Sequence, residues 1–419
     1  MKVLVVGNGG REHALARKLL ESDKVEQVFC LPGNGGTATT SQSSNYPINV
    51  DDFPKIAEFA KSNQIELVVV GPELPLSLGI TDYLQKTGIK VFGPDRIGAQ
   101  IESSKYWAKS FMLEAGIPTA QGEKFTDRES AKAYINQTGA PIVVKADGLA
   151  AGKGVIVANT VTEALNAVDY LFDSQYDLIV VEEYLVGEEV SILALTDGLS
   201  LRSLLPAQDH KRIGARDTGA NTGGMGAYAP APIVTPELME RIDKEVLQPT
   251  LATLQQRGID YRGVLYAGLM ITPEGEPKVL EFNCRFGDPE TQAILPLLET
   301  PLIDLILACC DRQLAQQPPL AWYPQVSTCV VIAAGGYPGT YEKGKIISGI
   351  EQAEALGAQV FHAGTKRDGE NIMTDGGRVL GVTATGGDFP AAIANAYQAV
   401  ECIKFENMYY RPDIGDRVR

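Results

Sequence analysis

Apolar and polar positions alternate in a steady rhythm through the first hundred residues. Three apolar runs end in glycine: VLVVG (3–7), LVVVG (67–71) and VFG (91–93). Segments of helical spacing lie between them. In REHALARKLLES (11–22), Ala14, Leu15, Leu19 and Leu20 recur at intervals that share one helix face. VFC (28–30) adds a strand, and stretches near 54–62 and 77–87 add helices. Strands alternating with helices predict an α/β domain, an open Rossmann-like parallel sheet covered on both faces. Ligands of such sheets bind beyond the carboxyl ends of the strands, where VVGNGGRE and VVGPELPL stand.

The pattern changes after residue 103. A helix over 103–115 is followed by the break GIPTA. Then come a short strand near 124, a helix over 128–138, strand IVVKA (142–146), a glycine-rich loop, strand VIVA (155–158), a helix over 162–172 and strand LIVVEEYL (178–185). This β-α-β-β-α-β order predicts a small lid over about 120–186. Longer mixed strands follow in EVSILALTD, SLRSLLPAQ, GVLYAGLMIT and PKVLEFN, and a helix near 291–311 closes the region. RQLAQQPPLAWYP (312–324) reads as a linker. Residues 326–419 read as a small α+β domain. Three domains are therefore expected, 1–103, 104–325 and 326–419, in a chain of 419 residues.

Composition narrows the function classes. Hydrophobic content of 44% and charged content of 21% are ordinary for a globular protein. A net charge of −15 argues against broad nucleic-acid or anionic-membrane binding. No apolar run approaches 18 residues, and the N-terminus lacks the apolar core of a secretory signal, so a cytoplasmic protein is expected. The six cysteines form no CxxC pair and the three histidines are scattered, which disfavours a zinc site or a disulfide framework.

Two glycine loops invite nucleotide readings. GNGGRE fails the dinucleotide pattern because Glu12 stands where glycine is needed. Its backbone N–H groups, with Arg11, could still meet a phosphate at a helix N-terminus. DGLAAGKGV (147–155) fails the Walker pattern, since three residues separate Gly148 from Gly152 and Gly154 follows Lys153. Its small residues and lysine nevertheless suit a cover folded over phosphates. Lys105 begins a helix, and Lys145 lies in an apolar strand, where burial demands a negative partner. VVEEYLVGEE ends in four carboxylates. Strand alternation puts Glu182 with Tyr184 on one face and Glu183 with Leu185 on the other.

EFNCRFGDPE (281–290) concentrates the chemistry. Period 2 places Val279, Glu281 and Asn283 on one face, with Arg285 next in the same parity. Two oxygen donors at that spacing suit a hard cation shared with phosphates, and an arginine beside them suits a phosphoryl group in transfer. A lysine opening a helix, a lysine in IVVKA, a glycine loop, EE-Y-L and E-x-N-x-R together resemble the ATP-grasp fold. GNGGREHAL, GPELPL, KADGLAAGKGV, HKRIGARDTGANTGGMGAY and RFGDPETQ resemble, more specifically, the phosphoribosylamine–glycine ligase family.

The resemblance implies ATP-dependent joining of glycine to 5-phosphoribosylamine through glycyl phosphate, with Mg²⁺ or Mn²⁺. It implies that Lys105 and Lys145 hold ATP phosphates under the loop of Gly148, Gly152, Lys153 and Gly154. Glu182 and Glu183 with the backbone near Leu185 would read adenine, and Glu188 or Glu189 would hold ribose. Glu281 and Asn283 would bind the metal, and Arg285 would stabilise the transferring phosphoryl. Asp217, Asn221, Thr222, Gly223, Gly224 and Asp288 would line the glycine and phosphoribosylamine pocket, closed by Gly10, Arg11, Gly71, Pro72 and Glu73. Of these, Arg285, Asp217 and Asp288 are the expected catalytic residues. The strand GVLYAGLM carries no acid where many ATP-grasp enzymes have a further metal ligand. Either one ion is held more loosely, or water and ATP complete its shell. Small-molecule substrates, no nucleic acid, no membrane and a monomer or weak dimer are expected. The rival readings are another ATP-grasp carboxylate–amine ligase and a non-catalytic nucleotide-binding protein.

Overall fold

The computed structural model describes residues 1–149 and 154–419. Gly152 and Lys153 of the predicted phosphate cover lie outside the described residues. The first sheet has five parallel strands in the order Ser43–Asn45, Gln27–Pro32, Lys2–Gly7, Leu67–Val70 and Lys90–Phe92. Its central strands are apolar on both faces because helices cover both. The predicted helix over 77–87 is two helices, Glu73–Leu78 and Ile80–Lys86. Gly79 separates them at φ +92, a left-handed conformation that ends one helix and that a side chain would strain.

The next unit is a four-stranded antiparallel sheet in the order Gly122–Phe125, Ile179–Glu183, Ile142–Ala146 and Val155–Ala158. Helices Arg128–Thr138 and Val161–Asp173 pack on it around their own apolar cluster. Asp127 and Thr160 cap those helices by accepting the amides of Ser130 and Glu163. The predicted helix over 103–115 is broken at Ser104, whose extended backbone lets its hydroxyl accept the Trp107 amide at 3.0 Å and begin a new helix, Lys105–Glu114.

A second antiparallel sheet runs Leu201–Ser203, Glu188–Thr196, Gly263–Ile271, Pro277–Asn283. Its last pairing carries a bulge. Gly268 pairs with Glu281, but Leu269 pairs with Val279, which leaves Leu280 out of the ladder. The simple period-2 reading therefore fails across Leu280. Val279 and Phe282 enter the core, while Glu281 and Asn283 share the opposite face.

The predicted helix near 291–311 is likewise interrupted. Helix Glu290–Ile294 tightens into a 3-10 turn, Leu295–Leu297, and a new helix begins at Leu302–Cys310. Pro296 and Pro301 cannot donate the amide bonds that a continuous helix needs.

The C-terminal region, 326–419, shares its sheet with the central region. Strand Val326–Ala334 pairs on one side with Arg378–Gly386 and on the other with Gly226–Ala229, which in turn pairs with Gln208–Asp209. The expected C-terminal α+β domain is present, and two strands of the central region extend its sheet. Nor is the 312–324 segment a free spacer. Leu314 is buried, its amide donates to Asp197 Oδ2 at 3.0 Å, and Trp322 bridges to Leu298. Contacts also run from the C-terminal region to the first sheet. Asn34 Nδ2 donates to the His362 carbonyl at 2.7 Å, and the His362 amide donates to His13 Nδ1 at 2.9 Å. Burial pushes both imidazoles down, His362 to about 4, so neutral rings form this contact.

Candidate functional site

Lys145 stands mid-strand among apolar neighbours, and the structure supplies the negative partner that burial requires. Its ammonium lies 2.6 Å from Glu182 Oε2, on the adjacent strand. The other carboxylate oxygen lies 2.9 Å from Lys109, on the helix Lys105–Glu114. Burial opposes the Glu182 charge, but Lys145 and Lys109 outweigh it and hold the carboxyl below its ordinary range. Both Glu182 oxygens are thus engaged by lysines. Lys145 also donates to the Leu280 carbonyl at 3.1 Å. The residue excluded from the ladder by the bulge therefore becomes the joint between lid and central sheet. Lys105 donates to the Gly148 carbonyl at 2.6 Å, and Asp147 accepts the Tyr106 amide, so the same helix holds the near end of the glycine loop. Glu183 accepts the Gln121 amide at 2.9 Å. Leu185 joins Ala120 and Met270 in a small apolar cluster flanked by Leu280.

Glu281 stands on the bulged strand with its side chain 45% exposed. Loss of solvation works against its charge, but Lys211, Lys145, Lys105 and Arg285 together hold its carboxyl below the ordinary value. Lys211 lies 4.0 Å from Glu281 and 2.7 Å from Glu189. Glu188 accepts from Gln208 at 3.3 Å. Asn283 presents its amide oxygen to Arg285 Nη2 at 3.1 Å. The Arg285 guanidinium further bonds Glu102 at 2.9 Å and Glu73 at 3.3 Å. Those carboxylates outweigh burial and hold Arg285 firmly charged.

Among the described residues, no three His, Cys, Asp or Glu side chains cluster as a metal cage. The donors present, a carboxylate and an amide oxygen, are hard. They fit a divalent cation such as Mg²⁺ that takes the rest of its shell from phosphates and water. Glu281→Gln and Asn283→Ala are each expected to raise the half-saturating Mg²⁺ concentration about tenfold, by analogy with weakened metal shells. A Mg²⁺ titration of turnover checks this, and wild-type-like turnover at low Mg²⁺ in both variants contradicts it.

A second cluster joins three parts of the chain at Asp288. Its Oδ2 accepts the Arg11 amide at 3.2 Å, at the start of helix Gly10–Leu20. Its Oδ1 accepts from Gln292 at 2.9 Å and lies 3.2 Å from Arg378. Burial opposes the Asp288 charge, and Arg378 and Arg11 overcome it. The predicted phosphate-facing amides of GNGGRE thus face carboxylates instead: Gly9 N–H donates to Glu12 and Arg11 N–H to Asp288. Arg11 turns its guanidinium to Glu12 and to the Phe286 carbonyl. Gly71 is glycine because a Cβ there would strike the Glu12 carboxylate. Glu73, next to Pro72, meets Arg285. Thr222 donates to the Lys211 carbonyl at 2.8 Å and accepts the Gly224 amide at 3.0 Å, while Asn221 pairs with Arg212 across a short hairpin.

Asp217 is held elsewhere. It pairs with Arg411 at 2.8 Å and with Arg417, both near the C-terminus. The structure does not join it to Arg285 or Asp288. Glu102, Lys109, Lys211 and Arg378 are site residues that sequence reasoning missed. Lys109 follows Lys105 by one helical turn, a signal that could have found it; Glu102 lies before the break at Ser104, where helical spacing gives no guide.

Family profiles match nearly the whole chain. The phosphoribosylglycinamide synthetase N domain matches residues 1–102, the ATP-grasp (A) domain 103–291 and the C domain 327–417. The phosphoribosylamine–glycine ligase of Nostoc sp. is 64% identical over 423 residues, and that of Synechocystis sp. 60% over 417, each covering 100% of both chains. The crystal structure of phosphoribosylamine–glycine ligase from Thermotoga maritima superposes with a TM-score of 0.86 at 32% identity, covering 99% of this chain and 100% of that one. The biotin carboxylase domain of a Hydrogenobacter thermophilus 2-oxoglutarate carboxylase shares the fold alone, with a TM-score of 0.73 at 17% identity over 98% of this chain and 91% of that one. With lysines gathered round hard oxygen donors and this agreement along its full length, the chain belongs to the phosphoribosylglycinamide synthetase family.

Proposed function

We propose that the chain joins glycine to 5-phosphoribosylamine at the expense of ATP, giving glycinamide ribonucleotide, ADP and phosphate in purine biosynthesis. Family membership over the whole length supports the reaction. The observation that carries the site is the convergence of Lys145, Glu281, Asn283 and Arg285 on the bulged end of strand Pro277–Asn283. In this reading the small apolar cluster with Leu185 offers adenine a flat wall, and Glu188 or Glu189 takes the ribose hydroxyls. Lys105 and Lys145 neutralise the phosphates. Glu281 and Asn283 hold the cation, Mg²⁺ or Mn²⁺, which when bound screens the phosphate charge.

Glycine's carboxylate oxygen attacks the γ-phosphorus, the bond to the bridging oxygen breaks, and ADP leaves with that electron pair. Arg285 faces the charge that builds on the transferring group, and Glu102 and Glu73 keep it oriented. The amine of phosphoribosylamine then attacks the acyl carbon and expels phosphate. No covalent enzyme intermediate is needed, so no activated nucleophile is required. The pocket for these two substrates is assigned to the junction around Asp288, Arg11 and 221–224, between parts of all three matched regions. Asp217 is left to anchor the C-terminus against that junction. The reading fits a cytoplasmic enzyme, in keeping with six unpaired cysteines, acting as a monomer or weak dimer.

Purified protein is expected to release ADP only when glycine and phosphoribosylamine are both supplied. A coupled ADP assay with single omissions checks it. Equal ADP release without glycine would overturn the assignment.

A further inference from the structure

We propose that Arg378 is a positioning residue for the acceptor pocket, so that the C-terminal region, 326–419, governs binding of phosphoribosylamine and not of ATP. The inference rests on the function proposed above, in which 221–224 and Asp288 line the pocket that phosphoribosylamine shares with glycine. Arg378 opens the strand Arg378–Gly386, which is anchored in the sheet by Val326–Ala334. Its Nη1 donates to the Gly223 carbonyl at 2.6 Å and to the Asp288 carbonyl at 2.8 Å, and lies 3.2 Å from Asp288 Oδ1. One nitrogen thus ties the glycine loop to the turn after Arg285.

The loop is shaped for this contact. A Cβ on Gly223 would lie 3.0 Å from the guanidinium carbon of Arg378. Gly224 has φ +111, and a Cβ there would strike Pro289. Glycine at both places lets the backbone lie flat between the arginine and the 288–289 turn. A second tie comes from the same part of the chain, where the Tyr337 hydroxyl accepts the Gly223 amide at 3.1 Å. Asp288, fixed by Arg378 on one side, accepts the Arg11 amide on the other. Lys105 and Lys145 bond to Gly148, Leu280 and Glu182 instead, so the nucleotide end is tied by separate contacts.

Steady-state kinetics on the full chain test the proposal. Arg378→Gln is expected to raise KM for phosphoribosylamine about tenfold, the scale of one lost charge-assisted bond, with KM for ATP within about twofold of wild type. Tyr337→Phe is expected to move the same constant by a smaller factor of about three, the scale of one neutral bond. Because all the bonds come from one nitrogen, Arg378→Lys is expected to recover most of the affinity. Amide exchange supplies a readout that needs no turnover: in Arg378→Gln it is expected to accelerate in 221–226 and stay unchanged in 142–146. An unchanged KM for phosphoribosylamine, or equal rises for both substrates, overturns the proposal when wild type is active. Should wild type show no glycine-dependent ADP release, the functional reading fails, and unchanged exchange in 221–226 separately refutes the positioning role.

Discussion

Replacing Arg285 by glutamine is expected to lower kcat by about 10²–10³-fold, the cost of removing one preorganised donor from a developing charge. The structure adds a second effect, on stability. Arg285 is the counter-charge to Glu102, a buried carboxyl that burial already pushes above its ordinary range. Breaking a buried pair costs about 3–5 kcal/mol when the remaining charge cannot adjust. Glu102 can adjust by taking a proton. In the variant its folded pKa rises further above the unfolded value of about 4.3, so the folded state binds the extra proton. Stability lost to the substitution therefore grows as pH rises from the folded pKa of Glu102 in the wild type towards its higher folded pKa in the variant. Thermal unfolding at pH 5.5 and pH 8, with kcat measured alongside, separates the two effects. Arg285→Gln combined with Glu102→Gln is expected to recover stability without recovering turnover. A kcat within tenfold of wild type, or recovery of both by the double variant, would remove Arg285 from the chemistry.

The other large effect concerns Glu182. Glu182→Gln leaves two inward-facing lysines, Lys109 and Lys145, without their shared negative charge. The expected cost is about 3–5 kcal/mol, and it falls on the joint between lid and central sheet. The chain holds several units that need not unfold together, so a local measurement is the informative one. Amides of 142–146 and 179–183 are expected to exchange about 10²- to 4 × 10³-fold faster in the variant, that energy read at 1.4 kcal/mol per decade. The carboxyl titrates lower in the folded state than in the unfolded chain. Its contribution is complete above the unfolded pKa of about 4.3 and disappears as pH falls through the folded value. The difference between wild type and variant should therefore shrink in acid. Unchanged exchange at neutral pH would show that the lysines are satisfied without Glu182.

Much of this site was legible because its chemistry is local in the chain. Glu281, Asn283 and Arg285 lie two apart, and alternation alone puts them on one face. The opposite placement of Val279 was not legible. A bulge leaves no mark in PKVLEFN; it depends on the partner strand, where Gly268 lets Glu281 approach closely. The two lysines around Glu182 were half legible. Burial of Lys145 demanded a carboxylate, but Lys109 reaches Glu182 from a helix more than seventy residues away. Asp217 shows the limit of motif reasoning: its partners lie at 411 and 417, beyond the reach of any local pattern. The interrupted helix after Glu290 was the avoidable error, since Pro296 and Pro301 stand in plain view.

The shared C-terminal sheet has a consequence for how the chain can be divided. Strand Val326–Ala334 has Gly226–Ala229 on one flank. A fragment beginning at 326 would expose that flank as a run of apolar residues with unpaired N–H and C=O groups, an open template for self-association. A nick in 317–325 would leave the same groups paired, and the two pieces would stay together. The chain tolerates a cut where it does not tolerate a separation, so the C-terminal region, if isolated, must carry 208–229 with it or be supplied with those strands in trans.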